Sequence, residues 1–149
     1  MRNNVYENEY IEKANSFMTA IADGNFPASV SYIDVSNYES FTFYLFAGTL
    51  DSALTCQVRQ DTSATETASI KDVTGALVVV GTGDDNEWGV VEVETAKLDI
   101  ANGFRYVTLA VSGAAGGNDY LCIVLRGGRA RRVPVTQPAG FSAHVLVAG

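Results

Sequence analysis

From Tyr32 onward, apolar and polar side chains alternate over short runs separated by turn residues, the pattern of β-strands with one wet face. Phe41, Phe43 and Leu45 alternate with Thr42 and Tyr44 in an aromatic strand that ends at Gly48. Leu54, Cys56 and Val58 alternate with Thr55, Gln57 and Arg59, and Val91 and Val93 with Glu92 and Glu94. Leu77 to Val80 is a short apolar run closed by Gly81 and Gly83. Phe104, Tyr106, Thr108 and Ala110 interleave with Arg105, Val107, Leu109 and Val111, so that strand is expected to be covered on both faces. Leu121 to Leu125 is continuously apolar, as in a central strand. The glycine-rich stretch from Gly113 to Asn118 predicts a flexible hairpin between these last two strands, and Val145 to Val147 fits a final strand. Many short strands without long alternating helices predict an all-β fold over residues 29–149, an antiparallel β-sandwich of jelly-roll-like form.

Residues 1–28 read two ways. Tyr6, Tyr10, Ala14, Phe17, Met18 and Ile21 recur at helical spacing, with Gly24 placed as a stop. The competing pattern has strands at residues 17–22 and 28–35 around Asp23–Gly24, a hairpin dipeptide. An extended N-terminal arm followed by strand is the preferred reading. Either way Tyr6, Tyr10 and Phe17 precede the core as aromatics in need of cover, which predicts burial against a neighbouring subunit.

Charge is segregated along the chain. All 17 acidic side chains lie at or before Asp119, while Arg126, Arg129, Arg131 and Arg132 supply four of the ten basic ones. The expectation is an acidic body with a C-terminal basic strap, residues 126–149, that contacts acidic groups of a partner or sister subunit. The alternative pairs those arginines with acids of the same body. A net charge of −7 argues against nucleic acid as a partner, because phosphates would repel most of the surface. No apolar run approaches the ~20 residues that span a bilayer. Arg2, Asn3 and Asn4 followed by Glu7, Glu9 and Glu12 give no secretion signal, so the protein is expected to be made and kept in a cytoplasm.

The residues spell out no reaction. His144, the single histidine, stands in an apolar segment and reads as structural. Cys56 and Cys122 sit in apolar runs and read as buried thiols, with a disulfide between neighbouring strands as the alternative. The loop from Gly81 to Glu87 lacks a dinucleotide or phosphate-loop pattern and reads as a solvated acidic turn rather than a calcium loop. Glu92 and Glu94 have glycosidase-like spacing, but their alternation with Val91 and Val93 explains them as a wet sheet face. Trp88 is read as a buried aromatic at a strand start, with a sugar-stacking platform as the alternative. No enzyme, metal or cofactor is expected.

The run Tyr32-Ile33-Asp34-Val35-Ser36-Asn37-Tyr38-Glu39-Ser40, leading to Ala47-Gly48-Thr49-Leu50, is similar to an opening found in small virion proteins of tailed bacteriophages. Val58 and Gln60, Asp72-Val73-Thr74-Gly75, and Asn102 to Val107 followed by Leu109 and Val111 resemble later strands of such proteins. Leu121 to Val124, the arginines and Val133-Pro134-Val135-Thr136 resemble the close. The resemblance spans roughly residues 30–137 and carries no active site. It implies a head-module protein, a capsid decoration or cement protein, often a homotrimer, on the surface of a capsid assembled in the host cytoplasm. Its implied partner is the major capsid protein. A head–tail connector or tail-tube protein is the rival within the virion, and a sugar-binding β-sandwich module the rival outside it.

Overall fold

The computed structural model describes residues 9–16, 19–115, 117–132 and 136–138. Nine strands follow in chain order: β1 (Tyr10–Lys13), β2 (Gly24–Phe26), β3 (Ile33–Asp34), β4 (Tyr38–Ala47), β5 (Leu54–Asp61), β6 (Lys71–Val80), β7 (Trp88–Glu94), β8 (Tyr106–Ser112) and β9 (Leu121–Ala130). Two single 3₁₀ turns, Thr95–Lys97 and Ile100–Asn102, join β7 to β8. One sheet has the order β1-β9-β4-β7 and the other β2-β8-β5-β6, with β3 also paired to β8. All pairings are antiparallel. That is the strand order of an eight-stranded jelly roll with one short added strand, so the expected all-β sandwich is the fold observed.

The core forms where the inward positions of the two sheets meet. Phe41, Phe43 and Leu45 from β4, with Ile123 and Leu125 from β9, face Leu54, Cys56 and Val58 from β5 and Val107 and Leu109 from β8, all essentially inaccessible to water. Phe41 and Phe43 meet edge to face, their centroids 6.2 Å apart. The alternation read from the sequence is thus the inside–outside alternation of each strand.

Several expectations change on contact with the fold. The Gly113–Asn118 stretch is not a hairpin: β8 and β9 lie in different sheets, so it is a crossover between them. Close approach explains its first glycine, since a Cβ on Gly113 would sit 2.6 Å from the Ala53 carbonyl oxygen and its φ is +97°. Asp23–Gly24 forms no hairpin either, because Gly24 opens β2 against Val111. The segment expected as an arm contributes, where described, an edge strand to each sheet. Tyr10–Lys13 pairs with β9 and Gly24–Phe26 with β8. Ladder hydrogen bonds to an existing sheet edge outweigh the helical spacing of the aromatics. The run Leu77–Val80 is the end of a longer strand whose first half, with Lys71, Asp72, Thr74 and Gly75, carries too little apolar signal to be read. Val145–Val147 and His144 lie outside the described residues.

Gly127 and Tyr38 lock the β1–β9–β4 corner. A Cβ on Gly127 would lie 2.8 Å from the Tyr38 ring, and that ring, buried, packs on Tyr10 at 6.0 Å between centroids. Burial, then the nearby Asp34 charge, pushes the Tyr38 hydroxyl up to about 12. Gly127→Ala should therefore cost about 1–3 kcal/mol through overpacking, and lower the thermal midpoint by roughly 2–10 °C. Gly128→Ala, whose added carbon would meet only Ser40 at 3.5 Å, should be much milder in the same melts.

Candidate docking surface

The outward positions of β4 and β7 carry a row of three rings, Tyr44 half-buried and Phe46 and Trp88 exposed. The register pairs Phe46 with Trp88 and Tyr44 with Val90, which puts all four on the outer face of the first sheet. Tyr44 stacks on Phe46 at 6.4 Å and 13°, and Phe46 on Trp88 at 6.3 Å and 19°. Trp88 is 67% exposed, Val90 47% and Phe46 43%. Trp88 is thus not the buried aromatic expected. Parity explains the difference: it is in phase with Glu92 and Glu94, while Val91 and Val93 fill the inner face. Two-residue parity with Glu92 and Glu94 is the signal in the sequence that places Trp88 outward.

The apolar surface continues around the sandwich edge. β7 and β6 are the outer strands of their sheets, and a crevice between them is lined by Val79, Val80, Asp84, Glu87 and Trp88. Beyond it, Val79 and Leu77 are each more than half exposed. Large exposed apolar residues scattered singly mean little, whereas neighbouring ones such as these make the strip the candidate docking surface.

Charge divides the two ends of the sandwich. The strands run so that the described residues 14–16, 19–23, 48–53, 81–87, 113–115 and 117–120 lie at the end nearest Trp88. These segments contain Asp23, Asp51, Asp84, Asp85, Glu87 and Asp119 and no lysine or arginine. The ion pairs Arg59–Asp72, Lys71–Asp99, Arg105–Asp34 and Arg129–Glu39 lie toward the opposite end.

At the acidic end, carboxylates serve as loop anchors. Asp119 is fully buried and accepts from the Asp51 and Ser52 N–H groups, both at 2.8 Å, and from the Ala115 N–H at 3.3 Å. Asp84 accepts from the Gly81 N–H at 2.6 Å, Asp85 from the Leu50 N–H at 2.9 Å, and Asp23 from the Ala114 N–H at 2.8 Å. The Gly81–Glu87 loop is therefore a structural acidic turn, and among the described residues no cluster of ligands suited to a metal ion is present. Asp61 does the same work at the other end, where the Thr67 and Thr62 N–H groups bond to it.

The strap arginines divide. Arg126 lies within β9, so the expected strap begins inside a core strand. Its Nε donates to Glu9 at 2.8 Å, its Nη2 to the other oxygen of Glu9, and its Nη1 to the Tyr44 hydroxyl at 3.3 Å. These bonds raise its already high pKa. This arginine matches the alternative reading, pairing within the body. Arg129 has left-handed backbone (φ 54°), a side chain 82% exposed, and only a 3.7 Å contact with Glu39. Arg131 and Arg132 are exposed, and Arg129 and Arg131 border an open cleft with Glu39, Glu92 and Glu94. Of the expected interface aromatics, Tyr10 packs on Tyr38 of its own fold, while Tyr6 and Phe17 lie outside the described residues, as do Val133 to Val135. The structure thus brings Tyr10 and Arg126 into the same sheet, through the pairing of β1 with β9, and leaves Arg129, Arg131 and Arg132 at its end.

Cys56 and Cys122 are free thiols in different sheets. Burial pushes the Cys56 thiol up to about 12, and burial also raises Cys122, against a smaller opposing effect of Lys13. Cys56 is the buried thiol read from the sequence, whereas Cys122 is only half-buried, on the outer face beside Phe46. No protein-family model matches the chain, and no curated protein sequence or solved structure matches it either.

The buried aspartates make a prediction about acid stability. Burial alone would raise the Asp119 carboxyl, but the N–H groups of Ser52, Ala115 and Asp51 and the Ser52 hydroxyl outweigh it and leave it below the ordinary value. Asp61 is lowered in the same way by Thr67 and Thr62. A carboxyl depressed in the folded state stabilises fully above its unfolded pKa of about 4, and that stabilisation disappears as pH falls through the folded value. Resistance to urea unfolding should therefore fall from about pH 5 downward. Asp119→Asn should be less stable at neutral pH and lose part of that acid slope.

Proposed function

We propose that this chain is a non-catalytic structural module of a bacteriophage head, a decoration or cement protein that binds the outer surface of the major capsid lattice. The observation that carries this reading is the row Tyr44–Phe46–Trp88 on the outer face of a jelly-roll sheet, half-buried at Tyr44 and exposed at Phe46 and Trp88. Aromatic anchors in an apolar patch with a polar rim form the usual energetic centre of a protein interface. The resemblance of residues 30–137 to small phage virion proteins supplies the partner and the expected homotrimer. Jelly rolls serve both capsids and lectins, so the fold agrees with this reading without selecting it. An acidic body suits such a role, because like-charged copies repel before assembly and a repeating lattice then multiplies modest contacts.

The same aromatic row favours a second reading, a sugar-binding module, since flat exposed rings also stack on sugar faces. A head–tail connector or tail-tube component remains the rival within the virion.

Cosedimentation of the purified protein with capsids of the virus that encodes it, assembled without it, tests the proposal. We expect saturable binding at a fixed ratio to the capsid protein. Trp88→Ala should weaken it by about tenfold or more, the range of interface aromatic anchors. Failure to bind capsids, with a monomeric protein that binds polysaccharide instead, would replace this reading with the second, and a sixfold ring would point to the connector.

A further inference from the structure

The docking reading leaves open what chemistry the Trp88 face recognises. The exposed strip runs from Val90 and Phe46 through Trp88 and across the edge crevice to Val79. Asp84 and Glu87 stand in that crevice beside Trp88, and the connecting segments at this end carry six acids and no base. Among the described residues the ion pairs lie near the other end or along β9, and the cations nearest the row, Lys13 and Arg126, share its sheet face on the Tyr44 side, away from Trp88. Backbone N–H groups satisfy Asp84, Asp85 and Asp23 locally but do not cancel their charge. The Trp88 end of the strip is therefore flanked by acidic side chains, Asp84 and Glu87 nearest.

We propose that the partner surface bound by this face is cationic protein, an apolar cluster or pocket that takes Trp88 and Phe46, ringed by lysine or arginine side chains. The proposal rests on the docking reading above and deepens it. It also reverses the polarity expected from the arginine strap, because the apolar anchors sit at the acidic end and not beside Arg129, Arg131 and Arg132. Three interactions converge on such a partner. Apolar contact with the rings supplies most of the affinity, cations over the tryptophan and phenylalanine faces add to it, and the acidic end steers approach and excludes anionic surfaces.

Trp88 is the chain's only tryptophan, so its fluorescence reads this face directly. The full-length protein would be titrated with a short tryptophan-free peptide of arginine and leucine, and separately with its glutamate–leucine counterpart. We expect a saturable blue shift with the cationic peptide alone, weakened by salt. Phe46→Ser should reduce affinity about tenfold, and Glu87→Lys, which alters an exposed side chain outside the loop-anchoring bonds, by about twofold to fivefold. A circular dichroism spectrum identical to that of the unaltered protein confirms that each variant is folded.

An equal response to the anionic peptide, or none to either, overturns the proposal. So does a blue shift that grows with protein concentration alone and tracks dimer formation, since a second copy would then cover the face. A shift with soluble oligosaccharides but not with the cationic peptide does the same in favour of sugar. If capsids bind the Trp88→Ala protein as well as the unaltered one, this face is misassigned while the decoration reading stands. If capsids are not bound but the cationic peptide is, the decoration reading fails and the face assignment survives.

Discussion

The pairing of β4 with β9 is the constraint on which the rest of the molecule depends. Tyr38 to Ala47 lies antiparallel to Leu121 to Ala130 in one continuous register, although some eighty residues separate the two strands in sequence. This ladder places Phe41, Phe43 and Leu45 beside Leu125 and Ile123 on the inner face. It also puts Thr42, Tyr44 and Phe46 beside Arg126, Val124 and Cys122 on the outer face. A slip of one residue would exchange the two sets, burying Arg126 and exposing the phenylalanines, at a cost no local interaction could offset. Gly127 supports the register as well, since opposite Phe41 it leaves the space that the Tyr38 ring fills, where a Cβ would lie 2.8 Å from that ring.

Once that register is set, the edges of the sandwich follow. β1 adds to the free side of β9 and is held there by Arg126 reaching Glu9 across the ladder. β7 adds to the free side of β4 and brings Trp88 beside Phe46. One strand pairing therefore both satisfies an arginine and assembles an aromatic row from residues far apart in the sequence. The second sheet answers with its own long-range pairings, β5 to β8 and β8 to β2, and the closed jelly-roll order leaves β1, β7, β2 and β6 as outer strands.

The two ends of the sandwich solve the same loop problem with different chemistry. Buried Asp119 and buried Asp61 each collect backbone N–H groups that would otherwise lose their partners on leaving water. At the Asp61 end, lysines and arginines also balance the acids in ion pairs. The connecting segments at the Asp119 end contain none, so the loop-anchoring acids Asp84 and Asp85 and the neighbouring Glu87 stand beside the exposed Trp88 ring. Loop architecture and surface electrostatics thus have one origin there.

Strand parity was legible in the sequence because it reflects a local property. Successive side chains of an extended chain point to opposite faces, and water selects which face is polar, so β4, β5, β7 and the core positions of β9 could be read directly. The sandwich class followed from the number of short strands, and the inertness of Cys56 from its apolar neighbours. Sheet partnership was not legible, because it depends on which distant edges meet. Gly113 to Asn118 reads as a hairpin on local grounds and is a crossover, and the choice between the extended and helical readings of Tyr10 is made by the open edge of β9. The arginines were visible as a cluster, but only the ladder decided that Arg126 would reach Glu9 while Arg129 stayed in solvent. Likewise the acids were scattered singly through the chain, from Asp23 to Asp119. Folding gathered them at one end because antiparallel strands return alternate connections to the same pole, a property of topology that no window of sequence contains.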